Sequence, residues 1–164
     1  MKYITQAFVM SAFLTSLILS GCSESKQQVS VRQAAFIESD DECHLCGMLI
    51  SNFPGPKGES YIKTSDVVKK FCSTRDLFSF ILDPEFQHQV KEIYVHDMSQ
   101  VPWGSPDDAH FIDARHAWYV AGSNQTGAMG RTLASFKQQS DAIAFSTEFG
   151  GKVYRFEDIK LTLL

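Results

Sequence analysis

The chain is short of the features that mark most functional classes. It has no run of Lys and Arg, and its 164 residues carry a formal net charge of -4. Nucleic acid is excluded as a partner class, because such binding begins with a basic stripe. There is no glycine-rich phosphate loop, no trustworthy Ser/His/Asp order and no carboxylate pair in an acid–base frame. Asp107-Asp108 reads as a solvated turn rather than a calcium loop. The apolar run from Phe8 to Ser20 falls short of the roughly 20 residues that span a bilayer. Cysteine is scarce: Cys22, Cys43, Cys46 and Cys72 are the only four. No second Cys-x-x-Cys exists, so no complete zinc knuckle can be assembled.

What is present begins at the N-terminus. Met1-Lys2 followed by an apolar stretch and Leu19-Ser20-Gly21-Cys22 is the pattern of a bacterial lipobox. Residues 1–21 are expected to be a lipoprotein signal peptide, with Cys22 as the lipidated residue carrying diacylglycerol and palmitate. Residues 22–32, polar and rich in Gln and Ser, form a flexible leash. Ser23 rather than Asp after the lipid site points to the periplasmic side of the outer membrane, with the inner membrane as the alternative. Spending Cys22 on lipid leaves three thiols. An odd number in an oxidising compartment permits one disulfide at most, and the leftover thiol favours chemistry or metal.

Along the chain, Gln33 to Ile37 can start a strand, and Met48 to Ser51 and Tyr61 to Thr64 suggest a hairpin around the Pro54-Gly58 turn. Ser73 and Asp76 have the form of a capping box before a short helix that stops near Asp83-Pro84. Strands follow at Ile93 to His96 and His116 to Val120, then a Gly-rich loop from 122 to 130. A helix is predicted over Gln139 to Phe149, closed by Gly150-Gly151, and a last strand over Lys152 to Phe156. Phe71 to Phe80 can be laid on Phe136 to Phe145 with both Phe positions and the Asp coinciding. The expected fold class is α+β: tandem duplicated ββαβ units forming one compact domain over 33–164, with halves at about 33–98 and 99–164.

The chemistry concentrates in Asp41-Glu42-Cys43-His44-Leu45-Cys46-Gly47-Met48. Thiolate and thioether together select monovalent copper over hard cations. Cys46 and Met48 share a face if the segment is extended, and Gly47 lets the two sulfurs converge. The bland alternatives are a local disulfide and a core methionine. A thioredoxin-like dithiol would sit at a helix N-terminus after a core strand, and no such unit surrounds this pair. Met129, between glycines in a polar turn, is a candidate third sulfur. Cys43 is a further candidate, and His116 is the first choice for a nitrogen donor. His96 and His110 read as locally satisfied residues.

These residues, with Phe71-Cys72-Ser73-Thr74-Arg75-Asp76, Tyr94-Val95-His96-Asp97-Met98, Ile112-Asp113-Ala114-Arg115, Trp118-Tyr119-Val120 and Gly127-Ala128-Met129-Gly130, resemble the NosL family. That family comprises copper-binding accessory lipoproteins of nitrous oxide reductase maturation in denitrification. The resemblance implies a non-catalytic periplasmic Cu(I) metallochaperone with a duplicated ββαβ fold similar to part of organomercurial lyase. It implies copper ligands at Cys46, Met48 and Met129, with Cys43 less firmly tied to the metal. It also implies delivery to nitrous oxide reductase together with a membrane-bound ABC-transporter maturation complex. Two rival readings remain: a periplasmic thiol oxidoreductase using Cys43 and Cys46, and a lipid-tethered scaffold in which the sulfurs are structural.

Overall fold

A computed structural model describes residues 30–164. The expected signal segment, the expected lipid site Cys22 and most of the expected leash lie outside the described residues. Among those described, no helix is long and apolar enough to cross a membrane.

The first unit is a ββαβ. Strands β1 (Gly58–Ile62) and β2 (Ser65–Phe71) form a tight antiparallel hairpin, followed by helix α1 (Thr74–Ile81) and strand β3 (Val90–His96). A short strand β4 (Phe111–Asp113) extends the sheet to the order β2-β1-β3-β4. The second unit repeats this plan with strand β5 (Trp118–Ala121), a two-residue ribbon of β6 (Thr126–Gly127) and β7 (Gly130–Arg131), then strand β8 (Ala134–Phe136), helix α2 (Gln139–Phe149) and strand β9 (Lys152–Arg155). Its sheet order is β8-β5-β9. In each unit the first strand is central, the second and third flank it, and both pairings are antiparallel. The internal repeat read from sequence is thus a repeat of topology: Phe71 and Phe136 end the second strands, and Asp76 and Asp141 stand third in the helices.

The helices follow from their ends. The Ser73 hydroxyl accepts from the Asp76 backbone N–H, satisfying a donor that the first turn cannot pair. Helix α2 stops at Gly150 and Gly151, whose φ angles of 77° and 94° are left-handed. Most of α1 is buried, whereas α2 fully buries Ala142 alone. The main core therefore gathers around α1: Leu77 and Phe78 with Phe71, Ile93, Val95 and Tyr119. The Phe78 ring meets Tyr119 edge-on at 5.0 Å, joining the first unit to the second.

The N-terminal third departs from the sequence reading. Residues 33–37 form no strand, because they cross the face of the sheet instead of pairing with an edge. Their partners come from β1 and β3 and from the loop before β4: Tyr61 Oη donates to Gln33 O at 2.9 Å, Tyr94 Oη to Arg32 O, Ala35 N to Glu59 at 2.8 Å and Ile37 N to Asp108 at 2.6 Å. Arg32 pairs with Glu92 at 2.7 Å. The expected strand at 48–51 is a single bridge, Glu42 to Leu49, followed by a 3-10 turn at Ile50–Asn52. The first hairpin lies further along than predicted, and Tyr61 to Thr64 is the end of β1 with its turn. His116 sits in the 3-10 turn Ala114–His116, not in β5.

Gly58 lets α1 approach. A Cβ built there would stand 2.6 Å from Leu77 Cδ2 and 2.8 Å from Leu77 Cβ, whereas one at Gly104 meets nothing. Gly58→Ala is expected to lower stability by about 1–3 kcal/mol in chemical denaturation. Gly104→Ala should stay within about 0.5 kcal/mol.

Candidate metal centre

The sulfur loop is a closed six-residue turn. Cys43 N donates to Met48 O at 2.9 Å and Gly47 N to Cys43 O at 2.8 Å. Gly47 has φ 72°, so Cys46 and Met48 are not on one extended segment as the sequence reading assumed. The loop is tied to β2 by His44 N, which donates to Lys70 O at 2.8 Å. That bond sets Cys43 and Cys46 against the strand-to-helix junction at Cys72.

Here the structure gathers a buried centre. One ligand atom each from Cys43, Cys46, Cys72 and Asp76 lies within 4.8 Å of the others. All three cysteines are free thiols. Cys46 Sγ and Cys72 Sγ are 3.5 Å apart, and the Cys72 thiol reaches Asp76 Oδ2 at 3.0 Å. The same carboxylate oxygen accepts from the Ser73 hydroxyl at 3.0 Å. Asp76 thus belongs to both the helix cap and the sulfur cluster.

The thiols are unequal. Cys43 is pulled down to about 5, first by the hydrogen bond from Cys72, against the opposing effect of burial, and further by backbone N–H groups at Cys72, Cys46 and Leu45. Cys72 is pushed far up, first by its pairing with Cys43, then by burial and by the Asp76 carboxylate that accepts its single hydrogen. Burial also raises Cys46, which is only half-buried and so is the thiol nearest to solvent. The centre therefore holds one ready thiolate, one thiol that keeps its proton and one thiol at the opening.

The remaining candidates lie around this core. Met48 is half-buried and packs on the edge of the hydrophobic core, beside Cys46 in the chain. Met129 is 53% exposed in the turn between β6 and β7. Its carbonyl accepts from Arg75 Nη1 at 3.2 Å, which ties that turn to the first turn of α1, where Asp76 also lies. His116 stands outside the cluster, 83% exposed, with Nδ1 3.2 Å from the Asp113 carboxylate. His44 turns its ring edge-on to Phe80 at 5.4 Å, with Nε2 2.9 Å from Lys69 Nζ. Burial and the neighbouring Lys69 keep its pKa low. His96 is buried and satisfied, bonding Lys57 N at 3.2 Å and Asp108 at 3.0 Å.

Sequence reasoning missed Cys72 and Asp76 as members of the site. The signal was available in the odd thiol placed directly before a helix cap, with an acid four residues later. Reading Cys72 as solitary overlooked that a strand-to-helix junction can face a loop distant in sequence.

Fold and centre together define a class: a small α+β domain whose duplicated ββαβ units hold a cluster of soft thiol donors with a carboxylate beside it. The chain belongs to the NosL family, which its residues 34–164 match. It is 46% identical over 159 residues to a copper-binding lipoprotein NosL of Stutzerimonas stutzeri, covering 96% of this chain and 82% of that one. A protein of the same description from Achromobacter cycloclastes is 34% identical over 155 residues, covering 93% and 79%. Among solved structures, the crystal structure of the copper chaperone NosL from Shewanella denitrificans superposes with TM-score 0.80 at 64% identity, covering 81% of this chain and 99% of that one. The solution structure of apo-NosL from Achromobacter cycloclastes gives TM-score 0.51 at 30% identity, covering 65% and 86%.

The thiol inequality has a direct readout. Reduced, metal-free protein at pH 7 should show the ultraviolet absorbance of one thiolate. Because the folded value of Cys43 is depressed, its charge contributes stability that is full above the ordinary thiol value of 9.0 and declines as pH falls to about 5, where the absorbance is lost as well. The signal should vanish in Cys43→Ser and persist in Cys46→Ser.

Proposed function

We propose that the chain is a lipid-anchored periplasmic Cu(I) chaperone that delivers copper for assembly of the copper centres of nitrous oxide reductase. The observation that carries this reading is the convergence of three free thiols with Asp76 in one cluster, in a chain whose relatives bear copper-binding and copper-chaperone names. Thiolates and thioethers hold Cu(I) better than they hold hard cations. The reductase, its ABC-transporter maturation complex and anchorage through Cys22 follow from the family resemblance and the lipobox, and the lipoprotein names of the relatives support the anchor.

In this reading copper is cargo. Cys46, Met48 and Met129 are its proposed ligands, with Cys43 as the ready thiolate beside them and Cys72 within reach of Cys46. Arriving copper takes the place of the proton on Cys46. Cys43 and Cys72 are buried, so exchange with a partner begins at the half-exposed Cys46 side. Met129, exposed on a turn with glycine on one side at φ 89°, is the ligand that leaves first. An attacking dithiol would need its low-pKa cysteine open to a substrate disulfide. Cys43 is only 2% exposed, which favours the metal reading over the oxidoreductase.

Anaerobic Cu(I) titration against a competing chelator, with mass spectrometry of the intact complex, tests this. One copper per chain is expected. Cys46→Ser combined with Met48→Leu should weaken binding by more than about a hundredfold. Met129→Leu should speed release to the chelator with a smaller loss of affinity. Full maturation of the reductase in a strain carrying the Cys46/Met48 double variant would instead support the scaffold reading.

A further inference from the structure

Lys57 stands directly before β1 and is only 3% exposed. Its Nζ donates to Phe53 O at 2.6 Å and Pro54 O at 3.2 Å, and among the described residues it forms no ion pair with a carboxylate. A buried ammonium without an anionic partner is costly and calls for a reason. The hairpin register supplies one. Gly58 pairs with Phe71, and Thr74 N donates to Pro56 O at 3.1 Å, so the next residue outward, Lys57, runs beside Cys72.

The position is firmly built. Lys57 N donates to His96 Nδ1 at 3.2 Å, His96 N donates to Lys57 O at 3.3 Å, and His96 Nε2 meets Asp108 at 3.0 Å. Asp108 is in turn engaged by Ile37 N at 2.6 Å. Burial lowers the Lys57 pKa to about 8, against the opposing pull of Asp108 and of any negative charge at the Cys72 position. The ammonium therefore remains largely protonated at neutral pH, and the sulfur cluster lies within its field.

We propose that Lys57 is a specificity-determining residue of the sulfur site: a fixed buried positive charge that biases it toward a monovalent over a divalent metal ion. This rests on the copper reading given above. The physical basis is a charge difference. When two metals enter the same ligand set from the same metal-free state, the protons displaced are equal and only the metal charge differs. Each additional positive charge on the metal is then repelled once more by the ammonium, in a medium where such terms are large. Thiolate ligands alone do not make this distinction, because zinc also accepts them. Lys57 adds to the discrimination that the thioether donors give, without touching the metal.

The test compares Cu(I) and Cd(II) affinities of the reduced protein, each by chelator competition, for wild type, Lys57→Gln and Lys57→Arg. Gln keeps a donor for the Phe53 and Pro54 carbonyls but removes the charge, whereas Arg keeps both. In Lys57→Gln the ratio of Cu(I) to Cd(II) affinity should fall by at least about tenfold, and Lys57→Arg should retain the wild-type ratio. Thermal unfolding of metal-free Lys57→Gln should occur at or above the wild-type Tm, since a buried unpaired charge is gone. An unchanged ratio in Lys57→Gln, or equal weakening of both metals with a lowered Tm, overturns the proposal and leaves Lys57 as a loop brace. Wild-type protein that binds no Cu(I) would instead overturn the copper reading itself.

Discussion

The carboxylate of Asp76 is the point on which the site depends. Its backbone N–H is taken by Ser73, while its oxygen receives the Ser73 hydroxyl and the Cys72 thiol. One residue therefore joins the start of α1 through its backbone and, through its side chain, holds the Ser73 hydroxyl and the Cys72 thiol. That thiol has one hydrogen, so the Asp76 oxygen competes with the Cys43 sulfur for it, and the carboxylate acts on Cys43 through that competition. The helix N-terminus adds a positive partial charge that favours anions there. An alanine in this place keeps the backbone bond to the Ser73 hydroxyl but leaves the Ser73 hydroxyl proton and the Cys72 thiol without their shared acceptor. The start of the helix and the thiol cluster share one hydrogen-bond network.

The duplication explains why the described residues hold one such centre. Asp141 occupies in α2 the place that Asp76 occupies in α1, but Lys137 stands where Cys72 does, and Gln138 replaces the Ser73 cap without a side-chain bond. The second unit keeps the frame and lacks the sulfur. Its contribution is support: Tyr119 packs on Phe78, and the Thr74 hydroxyl reaches Thr132 at 3.0 Å. Its β6–β7 turn also reaches back, since the Met129 carbonyl is held by Arg75 of α1. One half carries the cluster and the other braces it and presents Met129.

Much of this was legible in the sequence. Helix α2 lies where the spacing and Gly150-Gly151 put it, and the repeat was visible because Phe71, Asp76 and Phe80 recur as Phe136, Asp141 and Phe145. The N-terminal region was misread for a physical reason. Residues 33–37 have the composition of a strand, but their backbone is satisfied by side chains of Glu59, Tyr61 and Asp108, which no local pattern announces. Cys72 was invisible as a site residue because its neighbours in space come from a loop about thirty residues earlier, and such long-range pairing is set by tertiary packing rather than local periodicity. Cys46 and Met48 were named from their chemistry, and that chemistry does not require the extended geometry first assumed for them.

The centre is also linked to the N-terminal end of the domain. The crossing segment runs from Arg32 to Ile37 and leads within a few residues to Asp41, which pairs with Lys70 of β2, and then to Cys43. The sulfur loop is thus held by polar bonds on one side and by the hydrophobic core on the other. A copper-carrying role for this cluster requires soft donors in the metal's immediate environment. X-ray absorption at the copper edge of the Cu(I)-loaded protein addresses it most directly. An all-sulfur shell, reduced by one sulfur in Cys46→Ser, is the predicted result. A shell dominated by nitrogen or oxygen, or one unchanged in Cys46→Ser, would contradict it.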